Sequence, residues 1–272
     1  IWYRNSSTWS GIHCVNIVIK EGTKKSLHNV IDKGLNAIEK EHEINFAWQS
    51  QWKFPLRPAR PSIVDVVEFF AGACKFAMLA PEFGLVAGEP QDLRTGWDYR
   101  NPKDRIKAVN YVREAKPKLL IVGIECTPWT TYNMNINYRG REEELLERQD
   151  NDEVFIQFVI EAIEIQLEND CDFIVENPML SVLFGHWRFR KFMAKHQGKV
   201  VLQRGDLCAY GKKCLDGTQP LNKSILCLCS VRIAPAISRK CRCKVPHKPI
   251  AGKETRPSMV YPDAFVRAIL RR

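Results

Sequence analysis

The feature that most constrains this chain is a series of short, nearly uninterrupted apolar runs: Ile63 to Phe69, Leu85 to Gly88, Leu119 to Gly123, Phe173 to Val175 and Val200 to Leu202. A strand with one wet face alternates apolar and polar residues, whereas an unbroken run suits a strand covered on both faces, as in a parallel sheet. Helical spacing appears between several runs. It is clearest in Val154, Phe155, Phe158, Val159, Ala162 and Ile163, and again in Leu180, Leu183, Phe184, Trp187 and Phe192. Strand alternating with helix predicts an α/β fold, a doubly wound and mostly parallel sheet with helices on both faces.

Residues 62–272 form the predicted α/β domain, and residues 1–61 read as an N-terminal extension. Within the extension, Leu27, Val30, Ile31, Leu35 and Ile38 fall at helical spacing and predict one amphipathic helix. The Pro- and Arg-rich stretch from Lys53 to Pro61 reads as an extended linker. Trp48 and Trp52 precede its basic residues, where they would either pack on the domain or stack on bases.

A formal net charge of +10 favours an anionic partner, with nucleic acid ahead of a membrane surface because no basic amphipathic helix stands out. No apolar run reaches the roughly 18 residues that a membrane-crossing helix needs. Ten cysteines without framework spacing read as reduced thiols, which predicts an intracellular protein, nuclear or cytoplasmic.

In a doubly wound sheet ligands gather beyond the carboxyl ends of the strands, so the residues closing each run carry the functional reading. After the first, Phe70-Ala71-Gly72 makes a tight turn of small residues, and the helix that follows would aim free N–H groups at a carboxylate-like ligand. The second closes on Glu89, placed to grip the two hydroxyls of a ribose. Asp98, on the next turn, would either accept from an adenine amino group or cap the helix opened by Pro102. The third run delivers Cys126 in a loop shaped by Pro128, and the fourth delivers Glu176 and Asn177. A thiol beside a carboxylic acid is the pair needed to add sulfur to C6 of a cytosine while the acid engages N3. A buried, unreactive cysteine is the plainer account of Cys126 alone.

Taken in this order, Phe70-Ala-Gly72, Ile124-Glu-Cys-Thr-Pro-Trp129 and Glu176-Asn-Pro178 resemble the motifs of the DNA cytosine-5 methyltransferase family. The chain is similar also to methyltransferase-like domains inside retrotransposon polyproteins, with counterparts to Asn133-Met-Asn135, Asp206 to Gly211 and Tyr261-Pro262. The resemblance implies a Rossmann-like class I methyltransferase fold and S-adenosylmethionine as cofactor, held by Phe70, Ala71, Gly72, Glu89 and Asp98. It implies Cys126 as nucleophile, with Glu176 and Asn177 completing the catalytic set. DNA is the first expected substrate and RNA the second. A catalytically silent nucleic-acid-binding module of a mobile-element polyprotein is the alternative.

The chain departs from the family at Glu125, where a proline precedes the nucleophile, and at Pro178, where a valine follows Glu-Asn. The carboxylate of Glu125 would oppose thiolate formation at Cys126. Lys223 is the loose counterpart of a base-contacting arginine, and only about 40 residues separate that region from the C-terminal helix, which leaves no room for a large target-recognition domain.

Cys227, Cys229, Cys241, Cys243 and His247 invite a zinc reading, with Cys208 and Cys214 as further ligands if folding brings them close. Their spacings differ from the usual Cys-x2–4-Cys, so the expectation is reduced thiols and no metal. Arg139, Arg141, Arg188, Arg190, Lys191, Lys212, Lys213 and the basic residues of 239–248 would form a phosphate-attracting rim.

Overall fold

The computed structural model describes residues 64–272; the expected amphipathic helix, Trp48, Trp52 and the 53–61 linker lie outside the described residues. Five strands form one sheet, β1 (Val66–Phe69), β2 (Leu119–Val122), β3 (Asp172–Pro178), β4 (Val200–Asp206) and β5 (Ser224–Ser230), in the order β1-β2-β3-β5-β4. β1, β2 and β3 pair in parallel, with Val66 opposite Leu119 and Leu119 opposite Asp172. β5 runs antiparallel to both β3 and β4, so the sheet is mixed in its pairing although four strands point one way. The protein is α/β, consistent with a Rossmann-like fold.

The apolar runs of β1, β2 and β3 work as expected, because both faces of these strands are covered, whereas Leu202 in β4 stands exposed. Val67, Phe69, Leu120, Val122, Phe173 and Val175 face one core, shared with helices α2 (Pro102–Ala115), α3 (Glu142–Glu168) and α4 (Trp187–Lys195). Val66, Leu119, Ile121 and Ile174 face the other, shared with α1 (Lys75–Leu79), α5 (Ala234–Ile237) and α7 (Asp263–Leu270). A short helix α6 (Thr255–Ser258) precedes α7. Full burial of side chains such as Phe69 and Phe173 contributes about 1.5–3 kcal/mol each.

Three expected elements differ. Leu85 to Gly88 forms no full strand; it touches β1 through a single parallel bridge, Val66 to Ala87. The Asp65 carboxylate takes the Val86 N–H at 2.8 Å, so a side chain replaces a ladder partner there. Val200 to Leu202 extends to Asp206 and sits at the sheet edge, paired antiparallel rather than parallel. The helical pattern from Leu180 to Phe192 splits at His186, whose extended backbone ends a 3-10 turn (Leu183–Gly185) and whose ring accepts from Arg188 to open α4. Leu180 and Trp187 consequently stand exposed rather than buried.

The pairing has one consequence for function. The carboxyl ends of β1 to β4 share an edge, and because β5 is reversed, its first residue joins them, with Ser224 opposite Asp206.

Candidate functional site

At the end of β1 the backbone enters the left-handed region at Phe70 (φ 51°), Gly72 (φ 53°) and Cys74 (φ 52°). Such a conformation is unfavourable for a bulky phenylalanine and persists only when the surroundings enforce it. Here they do: the Phe70 ring packs on Tyr99 (4.7 Å between centroids) and edge-on to Phe155 (5.5 Å). Tyr99 in turn donates to Gln91 at 2.7 Å, and the Gln91 carbonyl accepts from Ala71 N–H at 3.1 Å. Gly72 lies in an open cradle, since an added Cβ would meet only Arg94 Nη2 at 3.8 Å and the Phe70 carbonyl at 3.9 Å.

Two acids flank this turn. Glu68, almost wholly buried, accepts the Ala77 N–H at 2.7 Å, with a further backbone bond from Phe76. The first-turn amides of α1 are thus occupied internally, contrary to the expectation that they await a ligand. Burial raises the Glu68 carboxyl to about 7, against the pull of those backbone bonds. Asp92 accepts the Gly72 N–H at 3.0 Å while its other oxygen takes the Arg94 N–H, forming a capping box with Thr95.

Sequence reading singled out Glu89 and Asp98. Glu89 is exposed, just beyond the stretch that follows β1, and Asp92 reaches the turn. Asp98 accepts from Arg100 N–H at 2.9 Å in a local turn. The cap of α2 is Asn101, bonded to Lys103 N–H at 3.0 Å, which corrects the capping role considered for Asp98. Gln91 and Asp92 were missed; the available signal was an amide and an acid immediately after the Glu89-Pro90 break.

Cys126 follows β2 at the head of a 3-10 turn, Thr127–Trp129. That turn is fastened from two sides: Gln149 of α3 donates to the Pro128 carbonyl at 2.8 Å, and Asn133 donates to the Thr127 carbonyl at 2.9 Å. Asn133 opens a π-helical turn, Asn133–Asn137, so the Asn-Met-Asn motif braces the Cys126 loop. On the neighbouring strand, Asn177 is fully buried and donates to the Ile124 carbonyl at 3.0 Å, tying β3 to the same loop. Asn177 thereby holds the Cys126 loop against β3.

Glu176 offers one oxygen to Tyr261, which donates at 2.7 Å, and its other oxygen is buried without a partner. Asn177 Oδ1 is likewise buried and unpartnered. Burial above all, and then the charge of Glu176, pushes the Cys126 thiol up to about 11, while Lys223 pulls it down and Glu125 adds a smaller upward push. Glu125 is held by Arg148 at 2.6 Å, and its effect on Cys126 ranks below that of Glu176.

Lys223 and Lys212 do not form a free basic rim. Lys223 donates to the Ser258 carbonyl at 2.7 Å, and Lys212 donates to Pro257 and Val260 carbonyls at 2.6 and 2.7 Å. Burial, together with the nearby Lys223 charge, lowers the Lys212 ammonium to about 8. Both lysines clamp the segment that delivers Tyr261 to Glu176. Of the other basic residues, Arg141 pairs with Glu144 and Arg188 with Glu153, Arg188 also lying over the Trp187 ring at 4.3 Å, while Arg139, Arg190, Lys191 and Lys213 are exposed.

Among the cysteines, Cys227 and Cys229 lie fully buried on β5, and Cys214 is also buried. Cys208, Cys241, Cys243 and His247 converge, their ligand atoms all within 4.8 Å of one another. No helix among the described residues is long and apolar enough to cross a membrane. No protein-family model matches the chain, and no curated protein matches it in sequence.

Proposed function

We propose that the protein is an S-adenosylmethionine-dependent methyltransferase acting on C5 of cytosine in nucleic acid, with Cys126 as nucleophile and Glu176 as the acid. The observation that carries this reading is a Glu176 carboxylate that keeps one buried oxygen unpartnered and stands near enough to Cys126 for its charge to raise the thiol. An α/β sheet consistent with a Rossmann-like fold agrees with the same reading.

The open space over Gly72 supports a cofactor at this turn. Phe70, Ala71 and Gly72 would hold it, with Glu89 at the ribose and Asp98 at the adenine. When bound it supplies an electrophilic methyl group. Cys126 Sγ would form a bond to C6 of the base, Glu176 would deliver a proton or hydrogen bond to N3, and the ring electrons would pass to C5, where they would bond the supplied methyl group as its former sulfonium sulfur leaves as a neutral thioether. Loss of the C5 proton then restores the double bond as the sulfur–C6 bond breaks and the thiolate departs. Exposed Tyr132, Ile136, Leu180 and Trp187, beside Arg139, Arg190 and Lys191, supply apolar and cationic surface of the kind that grips a displaced strand and a flipped base.

The high Cys126 pKa favours a second reading, a silent nucleic-acid-binding module, because a thiol near 11 is almost wholly protonated at neutral pH. Covalent capture by DNA containing 5-fluorocytosine separates the two. Capture that requires S-adenosylmethionine and disappears in Cys126→Ala supports the enzyme; DNA binding without capture in either protein supports the silent module.

A further inference from the structure

We propose that Cys208, Cys241, Cys243 and His247 form a structural zinc site that fastens the loop of residues 238–248 to the end of β4. Cys208 belongs to the 3-10 turn Leu207–Tyr210 directly after β4, and the other three come from the loop after α5. Cys208 is therefore far in sequence from the other three, and only the fold brings it to them.

The distances suit one small tetrahedral ion. With zinc–sulfur bonds of about 2.3 Å and zinc–nitrogen bonds of about 2.0 Å, ligand atoms around zinc stand roughly 3.5–3.8 Å apart. Cys241 Sγ and His247 Nε2 are 3.4 Å apart, and every pair among the four falls within 4.8 Å. Three sulfurs and one imidazole nitrogen are a donor set that favours zinc over the oxygen-preferring cations. A full set of four protein ligands leaves no open position, which marks a structural site rather than a catalytic one.

The surrounding chain argues for the same conclusion. Residues 238–246 are exposed throughout and form no helix or strand, so little apolar burial holds them in place. The site does have backbone support: Asp206 accepts the Cys241 N–H at 2.8 Å, and the Cys243 N–H points to Cys241 Sγ at 3.4 Å. Three thiolates and one neutral imidazole around a divalent ion leave a net negative charge, and Arg239, Lys240, Arg242, Lys244 and Lys248 on the same stretch offset it. Zinc would thereby hold a basic loop at the strand edge where Lys223 and Glu176 lie.

The test is metal content of the full chain by native mass spectrometry and elemental analysis. One zinc per chain is expected, with loss in Cys208→Ser and in His247→Ala and retention in Cys171→Ser, whose thiol lies outside the cluster. Because a ligand variant can fail to fold, cobalt(II) titration of the metal-stripped wild-type chain provides a second measurement. One equivalent should produce the intense absorption of tetrahedral thiolate coordination, and zinc should displace it. Absence of zinc and of cobalt uptake in the wild type, occupation by another metal, or zinc retained by both folded ligand variants would overturn the proposal.

Discussion

Tyr261 donates its phenolic hydrogen to Glu176 across 2.7 Å, joining the C-terminal segment to the end of β3. Lys212 and Lys223 secure the residues just before Tyr261, so one carboxylate is oriented by three side chains that no local motif connects.

Tyr261→Phe removes that donor and leaves the second oxygen of Glu176 without its phenol. Loss of stability of about 1–3 kcal/mol is expected, measured by urea unfolding with an unchanged slope.

The Cys126 thiol should react slowly at neutral pH and faster as pH rises toward about 11. Because the Glu176 charge raises that value, Glu176→Gln should shift the alkylation profile to lower pH. Lys223→Met, which removes an opposing positive charge, should shift it upward. Rates of iodoacetamide labelling at Cys126, followed by peptide mass spectrometry, read both directions.

Glu68 has a folded-state carboxyl raised to about 7 from an ordinary value of 4.5. The folded state therefore holds the proton more tightly than the unfolded chain. The associated stability is fully present below 4.5 and is lost as pH rises through 7. The upper bound is about 3 kcal/mol. Glu68→Gln should flatten this part of the curve, visible as the difference between wild-type and variant unfolding free energies across that window.

Asp92→Asn keeps an oxygen for the Arg94 N–H cap but loses the acceptor for Gly72 N–H. Folding stability should change by about 1 kcal/mol or less, while, on the proposed cofactor reading, affinity for S-adenosylmethionine should fall about tenfold, equivalent to about 1.4 kcal/mol. Calorimetric titration measures the affinity and thermal unfolding the stability.

Gly205→Ala should be more damaging than Gly88→Ala. A Cβ at Gly205 would come within 2.5 Å of the Ile237 carbonyl, so α5 itself must move, whereas at Gly88 the nearest atom is the hydroxyl tip of Tyr111 at 2.6 Å. Overpacking of this kind destabilises by about 1–3 kcal/mol, with Gly205 expected at or above the upper end in thermal and urea unfolding.

Apolar runs that need cover on both faces were enough to predict an α/β chain, to locate β1 to β4, and to bring Phe70-Ala71-Gly72, Cys126, Glu176 and Asn177 to strand ends. Periodicity is local, so it survives in the sequence. The antiparallel pairing of β4, the single bridge at Ala87 and the insertion of β5 depend on pairings between distant segments, which no local pattern records. The same holds for chemistry. Asp92 reaches Gly72 because the chain returns beside β1 at Gln91, while Tyr261 reaches Glu176 and Cys208 meets Cys241, Cys243 and His247 through packing of segments distant in sequence. Residue type and spacing identified the groups able to act; side-chain distances, set by long-range packing, decided which of them meet.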